Sequence, residues 1–254
     1  MPMLFAGHGS PMNAIEENAF VEGWKMSAKN MPKPLAILCI SAHWETKGTF
    51  VTAMEKPRTI HDFGGFPDAL YAVQYPAPGN PVLANEIRKL IKQTEVQSDM
   101  QWGLDHGTWS VIKHLYPEAD IPVLQLSLDG YQPPQYHYTL TKELASLREK
   151  GVLIIGSGNI VHNLRRVDWH NPEGGYGWAQ EANTLLKKYI FERAHEQLIG
   201  YATLGSAVTM AIPTPEHFLP LLYILGLQRE NENITFFNDK VVLGSISMTS
   251  LLVG

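Results

Sequence analysis

Short apolar runs and amphipathic segments alternate along most of the chain. The runs that resemble strands cover residues 3–6, 35–41, 123–127, 152–156, 234–237 and 244–247. Helical spacing of apolar residues follows Asn80 and Pro81 and recurs over residues 109–115, 140–147 and 178–198. This alternation is typical of an α/β fold. We therefore expect a single domain over residues 1–254, with helices flanking a central, mostly parallel sheet.

Two further segments carry local signals. Thr214 and Pro215 form a helix-start signal, with a capping hydroxyl and a proline at the first helical position, and apolar residues follow from Phe218 onward. This signal predicts that His217 lies in the first turn of a helix. Residues 59–80 are rich in glycine, proline and aromatic residues and show no regular period, which predicts a long ordered loop that shapes a site.

Composition and charge narrow the class of protein. Apolar residues make up 44% of the chain and charged residues 18%, which is typical of a globular protein. The net charge of -5 and the lack of basic runs argue against nucleic acid as a partner. No stretch approaches the length of a membrane span, and the N-terminus lacks a basic secretory start. With Cys39 as its one cysteine, the chain is expected to be cytoplasmic.

Five of the ten histidines stand beside glycine or at the ends of predicted elements. His8 lies between two glycines, and His43 directly follows a predicted buried strand. The other three follow a glycine-rich turn or open predicted helices, and they are His106, His162 and His217. Ligands of parallel sheets bind at the carboxyl ends of the strands, and neutral imidazole is a common ligand of divalent zinc and iron. The residues alone therefore predict a divalent metal site, with hydrogen-bonded scaffolding as the alternative role of each histidine.

The remaining histidines and short motifs point to less specific roles. His61 fits a pocket wall and a loop residue bonded to its own backbone equally well. The other four are expected to be surface or packing residues, and they are His114, His137, His170 and His195. The glycines at 156 and 158 lack the later glycine and acidic residue of a dinucleotide site. No Gly-x-Ser-x-Gly elbow for a serine nucleophile is present.

Six segments together resemble the class III extradiol ring-cleavage dioxygenases, in the branch of 4,5-DOPA dioxygenase extradiol-like proteins. They are Gly7-His8-Gly9-Ser10-Pro11, Ser41-Ala42-His43-Trp44, His61-Asp62-Phe63-Gly64-Gly65-Phe66, Asp105-His106-Gly107, Gly158-Asn159-Ile160-Val161-His162-Asn163-Leu164 and Pro213-Thr214-Pro215-Glu216-His217. The segments occur along almost the full length of the chain.

The resemblance implies one divalent metal per chain, Fe(II) or Zn(II), held by His8, His43 and a third ligand from the segment that contains Glu216 and His217. We favour His217 over Glu216. His162 resembles the acid/base histidine of the family and is also a candidate fourth ligand, whereas His106 is expected to hydrogen-bond oxygen or substrate.

The implied substrates are O2 and a catechol such as DOPA, which would open to a seco-DOPA semialdehyde. Three arginines lie near these segments and are candidates for binding a substrate carboxylate, namely Arg58, Arg165 and Arg166. The tyrosines and tryptophans are also compatible with a homodimer. Two other functions use the same residues: a zinc-dependent hydrolase that activates water, and a binding protein without catalysis. A histidine suited to proton transfer, such as His162, argues against the binding protein.

Overall fold

The computed structural model describes residues 1–254 and contains twelve strands and ten α-helices. The strands are β1 (Met3–Gly7), β2 (Ala36–Ser41), β3 (Glu45–Thr46), β4 (Thr49–Thr52), β5 (Val96–Asp99), β6 (Val123–Gln125), β7 (Leu128–Asp129), β8 (Val152–Gly158), β9 (Ile234–Phe237), β10 (Val241–Val242), β11 (Ile246–Ser247) and β12 (Ser250–Val253). The helices are α1 (Ala19–Lys29), α2 (Asp68–Tyr71), α3 (Pro81–Leu90), α4 (His106–Leu115), α5 (Pro134–Thr141), α6 (Ala145–Glu149), α7 (Gly177–Phe191), α8 (His195–Ile199), α9 (Ser206–Ala211) and α10 (Leu219–Leu225). No helix is both long enough and apolar enough to cross a bilayer.

The central sheet has six strands in the order β6-β2-β8-β1-β12-β9. The first four run parallel to their neighbours, whereas β12 is antiparallel to both β1 and β9. The register aligns Gly7 with Gly158 and Ser41 with Ser157, so β1, β2 and β8 end at one edge of the sheet. The predicted α/β fold with a mostly parallel sheet is therefore confirmed.

Side chains of the central strands point alternately to the two faces of the sheet, and both faces are covered. On β8, Ile154 belongs to the cluster packed under α5, α7, α9 and α10, whereas its neighbour Ile155 belongs to the cluster on the side of α1 and α4. Both side chains are fully buried, and each such burial stabilises the fold by about 1.5–3 kcal/mol. Burial on both faces explains why these strands read as continuous apolar runs.

Several predicted elements differ from those observed. The helix predicted to begin at Pro215 is wrong, because residues 213–218 form turns and α10 begins at Leu219. Pro220 has no N–H to donate to the carbonyl of Glu216, so a helix cannot run continuously from Pro215. His217 therefore lies in a turn.

The helices predicted over 140–147 and 178–198 are each interrupted. The first begins earlier, as α5, and passes through a 3-10 turn at Lys142–Leu144 before α6. The second breaks between α7 and α8, where Arg193 has a φ of 55° in the left-handed region. Residues 244–247 contribute only the short β11, and the sequence patterns missed β4, β5 and β12. The predicted loop 59–80 is largely irregular, apart from α2.

Candidate active site

The edge formed by the ends of β1, β2 and β8 carries the first two histidines. His8 follows β1 directly, and its backbone N–H donates to the carbonyl of Gly158 at 3.1 Å. His43 lies two residues beyond the end of β2, where the N–H of Ala42 donates to the carbonyl of Ser157 at 3.0 Å. The parallel register thus places the two imidazoles together, with their Nε2 atoms 3.1 Å apart.

The turn that contains His217 packs directly on the end of β8. The N–H of Asn159 donates to the carbonyl of His217 at 2.8 Å. A Cβ atom at Gly158 would lie 2.1 Å from that same carbonyl oxygen, so any residue larger than glycine would push the turn away. Glycine at this position therefore lets His217 reach the site.

A buried serine determines which nitrogen of His8 carries the proton. The Ser157 hydroxyl donates its single proton to the carbonyl of Gly107 at 2.5 Å and lies 3.0 Å from His8 Nδ1. Because that proton is already used, Ser157 accepts from an Nδ1–H of His8. The lone pair of His8 is then on Nε2, which faces the other histidines.

Glu216 acts on His217 in the same way. Its Oε1 atom lies 3.0 Å from His217 Nδ1 and accepts a second hydrogen bond from the Thr214 hydroxyl at 2.9 Å. A carboxylate beside Nδ1 favours the Nδ1–H tautomer and leaves the lone pair on Nε2. The Nε2 atom of His217 is buried and has no hydrogen-bond partner within the protein, as expected for an atom that can bind a metal.

Asp62, from the loop before α2, faces two histidines at once. Its Oδ2 atom lies 3.5 Å from His43 Nδ1 and 3.0 Å from His106 Nδ1, and its Oδ1 atom accepts the backbone N–H of His106 at 2.8 Å. Burial alone would raise the pKa of Asp62, but the contacts with His106 and the nearby His43 lower it below the usual value. Asp62 is therefore an anion that favours Nδ1–H on both imidazoles.

His106 is fixed by the start of α4. Asp105 caps this helix by accepting the N–H of Thr108 at 3.0 Å, and it also accepts hydrogen bonds from Ser41 at 2.7 Å and Gln125 at 2.6 Å. Burial, helped by the charge of Asp62, raises the pKa of Asp105 above its usual value despite these hydrogen bonds. This network ties α4 to β2 and β6 beneath the site.

The donor atoms of His8, His43 and His217 all lie within 4.8 Å of one another. Burial lowers the pKa of His43 to about 3 and lowers the pKa of His8 and His217 well below the usual value, and neighbouring histidines add to the lowering in each case. The three imidazoles are therefore neutral at pH 7. Three neutral lone pairs that converge in a buried space fit a divalent cation, which would relieve their mutual repulsion.

His162 lies beside this group. Its ring stacks on that of His217, with centroids 3.4 Å apart and an angle of 10° between the planes. The backbone N–H of His162 donates to the carbonyl of Ala211 at 2.9 Å. Burial lowers the pKa of His162 to about 4, although the charge of Glu216 opposes this change. The possible metal-binding atoms of His162, Glu216 and His217 also lie within 4.8 Å of one another. The position of His162 is therefore compatible with both roles expected from the sequence, acid/base catalysis and metal ligation.

The five histidines of the site open into one cavity of about 580 Å³. The three arginines suggested as partners of a substrate carboxylate do not line it, because Arg58 donates to the carbonyl of Trp102, and Arg165 and Arg166 extend into solvent. His61 does not line the cavity, and its Nε2 atom lies 2.9 Å from the carbonyl of Val73, so it bonds a neighbouring turn and not its own backbone.

The remaining histidines lie away from the cavity, as expected. His114 and His137 are buried packing residues, whereas His170 is exposed and His195 is half-buried. The sequence patterns missed two residues that face Nδ1 atoms of the candidate ligand histidines, Asp62 and Ser157. Their only signal was their place within the motifs around His61 and Gly158.

Comparison with known proteins gives this arrangement a family. Residues 2–251 match the model of the catalytic LigB subunit of aromatic ring-opening dioxygenase. The chain is 46% identical to the 4,5-DOPA dioxygenase extradiol of Escherichia coli K12, over 100% of this chain and 95% of that protein, and 40% identical to that of Beta vulgaris, over 93% and 90%. A crystal structure of an uncharacterized protein from Escherichia coli K12 superposes with a TM-score of 0.87 at 41% identity, covering all of both chains. The chain therefore belongs to the LigB family of aromatic ring-opening dioxygenases.

Proposed function

We propose that this enzyme cleaves catechols by extradiol chemistry at a divalent metal held by His8, His43 and His217, with residues 1–254 forming one catalytic domain. The observation that carries the proposal is the shared orientation of the three imidazoles. The Nδ1 atoms of His8 and His217 each lie 3.0 Å from an oxygen, of Ser157 and of Glu216 respectively. The Nδ1 atom of His43 lies 3.5 Å from the Asp62 carboxylate, and the ligand atoms of the three imidazoles all lie within 4.8 Å of one another. In this proposal Glu216 orients His217 and is not itself a ligand.

We propose Fe(II) as the metal of the working enzyme. Zinc has no accessible redox change, whereas ferrous iron with open positions supports oxygen chemistry. Three histidines suit zinc as a ligand set at least as well, so the same site is expected to bind Zn(II) without supporting ring cleavage. When bound, the iron would hold the diol and O2 together and supply the electronic coupling between them.

The protein contributes proton transfer and orientation. His162 is neutral at pH 7, lines the cavity and is placed to accept a proton from a catechol hydroxyl and to return it later. The Nδ1 atom of His106 lies 3.0 Å from the Asp62 carboxylate, which orients the ring, and we assign His106 a hydrogen bond to oxygen or substrate. Phe63, Phe66 and Ile246 line the cavity and limit its contact with water.

The reaction balances without a further reductant. The carbon–carbon bond next to the diol breaks, one oxygen atom of O2 enters a new carboxylate and the other enters a new aldehyde. L-DOPA is the first substrate to test, because two of the relatives carry its name. The cytoplasmic location and the homodimer stay predictions from the sequence.

The test is to remove metal, reload separate samples anaerobically with Fe(II) or Zn(II), and follow oxygen uptake with the yellow absorbance of the semialdehyde. We expect one O2 per catechol with Fe(II), and both atoms of labelled O2 in the product. His8→Ala should lose metal binding, whereas His162→Ala should keep the metal and lose about 10²–10⁴-fold in kcat. His170→Ala, at an exposed histidine outside the cavity, is the matched control. Ester hydrolysis that is independent of O2, without oxygen uptake, would instead identify a zinc hydrolase.

A further inference from the structure

Apart from its polar floor, the cavity is lined by glycine and apolar residues. The polar lining consists of the five histidines, Asp62 and Ser10. The rest of the lining is Gly9, Pro11, Phe63, Gly64, Gly65, Phe66, Leu164, Val167, Trp169, Leu243 and Ile246. No lysine or arginine lines the cavity. Its volume of about 580 Å³ falls in the range of pockets that enclose whole drug-sized ligands, so it has room for a substituent beyond the catechol ring.

A charged substituent would find no partner in this space. Against the apolar wall a carboxylate would lose part of its water without gaining a cation, which is unfavourable for a partly buried ion. An ammonium group would find Asp62 as the one acidic side chain, but that carboxylate already faces His43 and His106. The free part of the wall therefore favours an uncharged group.

Two large apolar side chains stand at the mouth of the cavity. Trp169 is 72% exposed and Leu164 is 67% exposed, although both line the cavity. The other five tryptophans are buried or half-buried. The segment between them is anchored, because Ser245 donates to the carbonyl of Asn163 at 2.8 Å and the N–H of Asp168 donates to the carbonyl of Leu243 at 2.8 Å. The two apolar surfaces are thus held at the mouth, where a ligand in the cavity would cover them.

We infer that the preferred substrates are catechols with a neutral, apolar substituent, and that Leu164 and Trp169 bind this substituent. The inference rests on the proposed function for the ring cleavage itself. The diol lies at the histidines, and the substituent extends along the apolar wall toward the mouth. L-DOPA fits the diol site equally well, but its two charged groups gain no partner from the wall.

The test compares substrates whose substituents share a three-carbon chain and differ in its last group, a methyl or a carboxylate. The pair is 4-propylcatechol and 3-(3,4-dihydroxyphenyl)propionate, and unsubstituted catechol reports on the diol site alone. With the Fe(II) enzyme, we expect kcat/KM from oxygen uptake to be at least about tenfold higher for propylcatechol than for the propionate, a difference of about 1.4 kcal/mol. L-DOPA should also fall below propylcatechol.

Variants locate the effect. Trp169→Ala and Leu164→Ala should each lower kcat/KM for propylcatechol by about three- to tenfold more than kcat/KM for unsubstituted catechol, as expected from loss of an apolar contact to the substituent. Phe191→Ala removes an aromatic residue that is equally exposed, at 72%, but lies outside the cavity. This control should change kcat/KM for neither propylcatechol nor catechol.

Failure of this inference can be separated from failure of the proposed function. Equal or faster turnover of the propionate, or an equal loss for catechol and propylcatechol in Trp169→Ala, would overturn the inference and leave ring cleavage intact. If no catechol is cleaved, the affinities of propylcatechol and the propionate for the Zn(II) protein, measured by calorimetry under nitrogen, still show which substituent the cavity wall prefers. Tighter binding of the propionate there would overturn it.

Discussion

Glu216 provides the sharpest test of how the metal is held, because it lies next to His217 and could replace it as a ligand. The structure gives Glu216 two hydrogen bonds, from the Thr214 hydroxyl and from His217 Nδ1–H. Glu216→Gln keeps an oxygen at the same position and removes only the negative charge. Glu216→Ala removes the acceptor, whereas His217→Ala removes the donor atom that we assign to the metal.

The expected sizes follow from the hydrogen bond. A hydrogen bond to a charged group contributes about 1.5–3 kcal/mol, and loss of a residue that orients a ligand weakens metal binding by about 10- to 100-fold. We therefore expect a loss of that size for Glu216→Ala and a loss below about tenfold for Glu216→Gln, since the amide oxygen still accepts the Nδ1–H. His217→Ala should weaken binding more than either.

The assay is a competition titration of Zn(II) against a chromophoric chelator at pH 7, repeated with Fe(II) under nitrogen. Glu45→Gln is the matched control, because the charge of Glu216 helps to raise the pKa of Glu45, yet Glu45 has no hydrogen bond to a histidine. Glu45→Gln removes one negative charge near Glu216 without removing a hydrogen bond to a histidine. If Glu216→Gln lost the metal as completely as His217→Ala, the carboxylate would be the ligand and the assignment of Nε2 would be wrong.

Three more predictions follow from the contacts of the site and the core. Asp62→Asn should keep the metal within about tenfold but lower kcat by about 10²-fold, because a neutral amide replaces the carboxylate that lies 3.0 Å from His106 Nδ1; an unchanged kcat would contradict this role. Burial lowers the pKa of His137 to about 4, so as pH falls the unfolded chain protonates His137 before the folded protein does. This difference leaves the free energy of unfolding unchanged above about pH 6.5 and lowers it by about 3 kcal/mol as pH falls to 4. Urea unfolding of His137→Gln should therefore show a weaker pH dependence. Gly158→Ala should abolish metal binding, whereas Gly177→Ala, where a Cβ meets nothing within 4 Å, should not.

The sequence predicted the parts of the site that depend on the sheet. His8 and His43 follow buried apolar runs, and parallel strands end at one edge, so their meeting could be expected from the pattern alone. The third ligand could not be placed in this way. The helix-start signal at Pro215 predicted a helix that Pro220 interrupts. The turn observed there is held by contacts with the end of β8, which no local sequence pattern encodes.

The residues that orient the ligands were harder still to predict. Asp62 lies in a loop without periodicity, and its distance to His43 and His106 depends on how that loop folds over α4. Ser157 looked like one of several small residues in a glycine-rich strand end. Its role follows only from the hydrogen bond to Gly107, which commits its proton and so determines the tautomer of His8.

The three groups that face the Nδ1 atoms of His8, His43 and His217 come from separate parts of the chain, so metal binding is linked to the order of all three parts. Ser157 belongs to β8, Asp62 to the loop before α2, and Glu216 to the turn before α10. A metal that binds only when all three imidazoles are aligned must stabilise the placement of all three segments. Because the two are linked, a change that lowers the fraction of protein in which one segment is aligned lowers the apparent metal affinity by the same factor. The loop before α2 also supplies Phe63 and Phe66 to the cavity wall, so order at the metal and closure of the substrate wall are coupled through Asp62.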